Sequence, residues 1–168
     1  MLVVPSTASD PTELLNETEL LNELNEHRGE LSERLGIVLT EASAQRVVAT
    51  MPVAGNRQPY GLLHGGASVA LAETVGSVAS MLAAGPSRSA VGIEINATHH
   101  RAALDGVVTA VATQIRAGAT LATYDIRITD EAGRPVCTCR LSCLLRDNPP
   151  AGGKVPSRNA QATSANAP

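Results

Sequence analysis

Glu73 is the residue most out of keeping with its neighbours. It lies in the middle of residues 65–84, GGASVALAETVGSVASMLAA, a stretch with no proline and no second charge. Apolar and small side chains there cover most of a helical circumference, and a helix of that kind buries itself. A glutamate is rarely buried without a partner, and no Lys or Arg lies one turn away on either side. An unpaired carboxylate in such a place costs stability, which a role in chemistry would explain. The plainer reading is a carboxylate that reaches solvent or an arginine on another strand. Glu73 by itself leaves both open.

The flanking residues add to the chemical reading. At 3.6 residues per turn, Gly66, Ala70, Glu73, Ser77 and Ser80 share one face, a narrow groove of small side chains with one acid and two hydroxyls. Ser77 sits at i+4 from Glu73, where its hydroxyl can orient the carboxylate or a water beside it. The run His64-Gly65-Gly66 leaves the first backbone N–H groups of the helix unshielded. Those donors are unpaired by construction and carry the positive end of the helix dipole, so an oxyanion would be stabilised there. Close packing of the helix start against a sheet is the plainer alternative for the two glycines. His64 reads either as a cap or as a histidine of the site; spacing does not separate the two.

Gly65 and Glu73 are eight residues apart, about 12 Å along a helix. Reacting groups must come within about 3 Å, so one carbonyl cannot touch both. Either one of them acts alone, or they meet across a symmetric interface, Gly65 from one chain and Glu73 from the other. The two-chain site is the expectation.

Composition narrows the field. The chain has 168 residues, enough for one domain with a sizeable core, and only two aromatics, Tyr60 and Tyr124. The core must therefore come from Val, Leu, Ile and Ala. Net charge is −3, yet residues 1–34 hold eight acids and two bases, and the remainder eight acids and eleven bases. A body at +3 favours an anionic ligand, but it is no nucleic-acid footprint, and stacking aromatics are missing. Cys137, Cys139 and Cys143 share one face of a predicted strand. Their odd number and the absence of a secretion signal predict reduced, buried thiols, a cytoplasmic protein and no metal site. No uninterrupted apolar run has the length of a membrane span.

Residues 1–16 read as a disordered lead and residues 147–168, rich in Pro, Gly, Ser, Ala and Asn, as a disordered tail. Between them, leucines 20, 21, 24, 31 and 35 recur at helical spacing over 17–35, with a break near Gly29. A strand pair is predicted at 36–43 and 45–53, and four strands at 89–102, 106–116, 121–130 and 134–146. Gly and Asp supply the turns between them. A long apolar helix followed by an antiparallel meander that wraps it is an α+β class with the element order of a hotdog fold.

The segments QPYGLLHGGASVALAETVGS, VGIEINATHHR and CTCRL together resemble the acyl-CoA thioesterases of the hotdog superfamily, over roughly residues 30–146. The resemblance is to the PaaI-like branch, near the dihydroxynaphthoyl-CoA hydrolases of menaquinone synthesis and the proofreading thioesterases of siderophore assembly. HGG with a Glu nine residues after the His marks the catalytic branch. The H-F-P-G segment or Asp-His pair of the dehydratases is missing. The resemblance implies hydrolysis of an aromatic or hydroxyaromatic acyl-CoA or acyl-carrier-protein thioester, with no cofactor beyond the substrate's own coenzyme A. It implies a homodimer with sites at the interface, paired into a homotetramer. Glu73 becomes the nucleophile or general base, Gly65 the amide that polarises the carbonyl, and Ser77 the hydroxyl that assists Glu73. Gln58 and His64 sit where relatives hold the acyl carbonyl and the loop. Coenzyme A contacts fall on Gly92, on His99, His100, Arg101 and Ala102, on Arg116, Ala117, Gly118, Ala119, Thr120 and Leu121, and on Arg146. Ala102 stands where relatives have Pro, and 115–119 read IRAGA where relatives read L-H-x-G-[RS]. Phosphate contacts in that loop then rest on Arg116 and on backbone around Gly118. A non-catalytic acyl-CoA sensor is the competing function; it has no need of Glu73, Ser77, Gln58 and the HGG amide together.

Overall fold

A computed structural model describes residues 11–147, with side chains from residue 17; the segments on either side lie outside the described residues. Two short helices come first, α1 (Pro11–Glu26) and α2 (Glu30–Leu35). They are separated at Gly29, whose φ of 81° suits glycine alone among common residues. The expected break is there, but helix begins at Pro11, so the boundary of the lead at residue 16 falls inside α1. Strands β1 (Val38–Ala42) and β2 (Arg46–Pro52) follow, then α3 (Gly65–Ala84). The chain ends in the meander β3 (Ser89–His99), β4 (Val107–Ala117), β5 (Leu121–Thr129) and β6 (Pro135–Arg146).

The six strands form one antiparallel sheet in the order β1-β2-β4-β5-β6-β3, and α3 contacts all of them. This is the hotdog arrangement. Alternation along each strand explains it: Val108, Ala110 and Ala112 on β4, Tyr124, Ile126 and Ile128 on β5, and Cys137, Cys139, Leu141 and Cys143 on β6 point inward onto the helix. Aliphatic residues dominate this core as the composition requires, with Tyr124 and Met51 added. The Tyr124 hydroxyl donates to the Ala44 carbonyl at 2.7 Å, and burial pushes its pKa up to about 12. The three cysteines are free and buried. Their Sγ atoms at 137 and 139 lie 3.6 Å apart on one face of β6.

Two features of α3 bear on the site. By length and composition it is the one helix among the described residues that could cross a membrane. Here its apolar side is turned onto the sheet: Ala67, Leu71, Ala72, Val75 and Ala79 are buried, and a Cβ on Gly76 would sit 2.5 Å from Leu141 Cδ2. The opposite side, with Val69, Ala70, Glu73, Ser77 and Val78, is half-buried. Glu73 is thus less enclosed in the single chain than an all-round apolar helix predicts.

Candidate active site

The loop between β2 and α3 is held by Asn56, which the sequence reading overlooked. Its buried side chain donates from Nδ2 to the carbonyls of Leu35 (2.7 Å) and Pro52 (2.9 Å), and its own carbonyl accepts from His64 N–H at 2.9 Å. Leu63 N–H donates to Ala103 O at 2.8 Å, and Arg57 donates through Nε and Nη2 to Leu104 O. These bonds fix His64 in an extended conformation, φ −68° and ψ 130°, as the N-cap of α3. Its Nδ1 accepts the Gly66 N–H at 2.8 Å. The geometry makes His64 the cap of α3, with Nδ1 engaged as the acceptor of the Gly66 N–H.

With Gly66 capped, and the Ala67 and Ser68 amides both donating to His64 O, the Gly65 N–H has no partner among the described residues. Gly65 lines a cleft of about 340 Å³ together with Gln58, His99, His100, Arg101 and Ala102. His99 packs on Gly65 closely enough that a Cβ there would lie 2.9 Å from Nε2. The His100 Nε2 meets Thr138 Oγ1 at 2.9 Å. The sequence-derived Gln58, Gly65, His99, His100, Arg101 and Ala102 therefore gather at one end of α3.

Glu73 stands apart from that end. Its carboxylate accepts no hydrogen bond among the described residues and lies against the backbone of Gly92, where a Cβ would collide with Oε1. Gly92 pairs across the sheet with Cys143. Burial raises the Cys143 pKa, and the Glu73 charge raises it further; the hydroxyls of Ser80 and Ser77 pull the other way by facing the sulfur. Ser80 Oγ is buried and makes no hydrogen bond among the described residues. Ser77, one turn on from Glu73, is half-buried and makes no hydrogen bond to the carboxylate among the described residues. Gly92, expected with the coenzyme A contacts, sits beside the carboxylate. The cysteine neighbour was not legible in the sequence, because it depends on the register of β3 against β6.

The remaining expected contacts lie at the far end of the sheet. Residues Arg116 to Leu121 close the β4–β5 hairpin, level with Val91 through Leu121↔Leu144 and Val91↔Leu144, eight residues or about 26 Å along β3 from His99. Arg88 holds this hairpin, donating from Nη2 to Ala119 O (2.7 Å) and Leu145 O (3.2 Å) while Nε pairs with Asp147 at 2.8 Å. The Gly118 N–H donates to Leu121 O at 2.8 Å, so that amide is engaged within the turn and does not offer itself to a phosphate. Arg101, Arg116 and Arg146 are exposed and make no ion pair among the described residues. No group of three His, Cys, Asp or Glu among the described residues is placed to hold a metal.

The arrangement supplies an unpaired amide at a helix N-terminus, an unbonded carboxylate on the same helix, and free arginines at both ends of the sheet. Comparison with known proteins identifies the family. The thioesterase superfamily model matches residues 60–137. The proofreading thioesterase EntH of Cronobacter sakazakii is 48% identical over 118 residues, covering 70% of this chain and 86% of that one. Among solved structures, the thioesterase HI1161 of Haemophilus influenzae superposes with a TM-score of 0.72 at 39% identity, covering 76% of this chain and 90% of that one. A mutant of thioesterase PA1618 from Pseudomonas aeruginosa gives a TM-score of 0.69 at 36% identity, covering 84% and 96%. With relatives this similar along most of their length, the chain belongs to the thioesterase superfamily and is a hotdog-fold thioesterase.

Proposed function

We propose that the enzyme hydrolyses an aromatic or hydroxyaromatic acyl thioester of coenzyme A or an acyl carrier protein, at a site built from two chains. The observation that carries this reading is the division of groups along α3: the unpaired Gly65 amide at its start and the unbonded Glu73 carboxylate two turns on. In the reaction, the Gly65 N–H receives the carbonyl oxygen as it becomes an oxyanion. Glu73 takes a proton from water, whose oxygen forms the new bond to the acyl carbon. The alternative is direct attack by the carboxylate, giving an anhydride that water then opens. In both routes the C–S bond breaks and the thiol leaves with a proton. The aromatic preference rests on the sequence resemblance to the hydrolases of that branch, and Arg101, Arg116 and Arg146 suit the phosphates of the thiol half.

The free edge of the sheet supports the two-chain site. β3 pairs with β6 on one side only, and it exposes Val91 (38%) and Ile93 (57%). An edge strand of this length and apolar character calls for a cover. A second copy, paired antiparallel about a two-fold axis near the middle of β3, sets the Gly92 end of one strand beside the His99 end of the other. Glu73, lying over Gly92, then meets Gly65 of the partner subunit, which lies under the partner subunit's His99. Two such dimers form the tetramer that the resemblance implies. Free, buried thiols agree with a cytoplasmic setting.

Subunit exchange tests the reading. Glu73→Gln and Gly65→Pro, the second of which deletes the amide proton, are each expected to be inactive as homodimers while folded by circular dichroism. Random exchange between them leaves one intact site in each mixed dimer, about one quarter of the wild-type sites in all. Return of activity on that scale supports two-chain sites. Folded, exchanging mutants that stay inactive would show that both groups serve from one chain. A hydrolysis screen over benzoyl, hydroxybenzoyl, naphthoyl and medium-chain acyl-CoA substrates tests the acyl preference; a preference for the straight chains would reject it.

A further inference from the structure

Gly92 is not explained by its backbone. It lies within β3, where a glycine weakens a strand, and it is not among the glycines of positive φ. Space explains it. A Cβ at this position collides with Oε1 of Glu73 and comes within 3.3 Å of Cδ. β3 also bulges between Gly92 and Glu94, a distortion that re-aims the strand locally. Beneath, the cross-strand partner Cys143 is fully buried and stays a neutral thiol, so it adds no second charge next to the carboxylate.

We propose that Gly92 is a positioning residue for the hydrolysis: the bare backbone at the β3 bulge is the socket in which the Glu73 carboxylate rests. This rests on the reading of Glu73 given above and goes beyond it in assigning the carboxylate's place to a residue on another element. The colliding atom is the far end of a flexible side chain, so a methyl group at 92 is relieved by rotation of Glu73 and costs the fold little. Turnover is another matter, because a misplacement of about 1 Å can cost roughly a hundredfold. The resemblance instead makes Gly92 a coenzyme A contact. The two roles differ in kinetics: loss of a ligand contact raises KM, whereas loss of aim lowers kcat.

The experiment is steady-state hydrolysis of hydroxybenzoyl-CoA by Gly92→Ala and by Glu73→Asp, separately and combined. For Gly92→Ala, kcat is expected to fall at least about tenfold with KM within about twofold and an unchanged thermal midpoint. Aspartate is one methylene shorter and stops short of Gly92. In the Glu73→Asp background the same substitution is therefore expected to cost less than about threefold, a coupling that a merely structural effect would not produce. A raised KM with kcat kept would make Gly92 a ligand contact and overturn the inference. So would unchanged kinetics, an equal loss in both backgrounds, or loss of the fold. Full turnover by Glu73→Gln would instead overturn the role of Glu73 itself, whereas an inactive Glu73→Gln beside a fully active Gly92→Ala removes the socket alone.

Discussion

The start of α3 and its middle are built on opposite plans. At the start, Asn56, His64, Leu63 and Arg57 use hydrogen bonds to pin one short loop, and the last donor left over is the Gly65 amide. In the middle, Glu73 has no hydrogen bond, and room is left for it by an absent side chain on another strand. The difference follows from what each group must do. An amide that stabilises developing charge works best when it is already fixed, since no reorganisation is then needed. A carboxylate that takes a proton or attacks carbon must keep its lone pairs free; donors around it would stabilise the anion and weaken it as a base. Rigidity belongs to the donor and openness to the acceptor.

Breaking the acceptor should have the largest effect. Glu73→Gln keeps size and removes the charge, so turnover is expected to drop at least about a hundredfold, or roughly 2.7 kcal/mol of transition-state stabilisation, with little change in substrate binding. Single-turnover assays beside a binding titration check this; turnover close to wild type would end the comparison. The donor side should break through stability instead. Asn56→Ala strands the carbonyls of Leu35 and Pro52 and is expected to cost about 2 kcal/mol in urea unfolding, with activity lost through the loop. A cost below about 0.5 kcal/mol would mean the loop is held by other means.

Smaller changes sharpen the contrast. His64→Ala removes a cap worth about 1 kcal/mol, and His64→Asn is expected to restore most of it, because asparagine caps as well. An activity loss that asparagine does not rescue would return His64 to the chemistry. Ser77→Ala is expected to have the least effect, a loss of turnover under about tenfold, since its hydroxyl makes no hydrogen bond to the carboxylate among the described residues. A loss matching that of Glu73→Gln would mean that Ser77 holds Glu73 in the assembled enzyme.

Much of the scaffold was legible because it is written in local periodicity. Strand alternation gave β1 to β6 within a few residues, and the turn glycines and aspartates gave their connections. Gly29 marked the break between α1 and α2 through a φ that only its missing Cβ tolerates. The isolated acid in an apolar helix singled out Glu73, and helix geometry placed Gly65 too far from it for one carbonyl. The part of His64 as a cap was not legible from spacing, because it depends on the Nδ1 contact with Gly66.

What the sequence determined by itself is therefore the set of elements and the odd residue on each, since both follow from neighbours within a turn or two of the chain. The tertiary structure decided who stands beside whom. Gly92 meets Glu73, Cys143 lies beneath both, His99 packs on Gly65, and Arg88 reaches the hairpin at Ala119, all through strand register and a β-bulge. Register depends on the fit of whole faces across the sheet, and a shift of one residue in β3 or β6 would turn His99 or Cys143 to the other side.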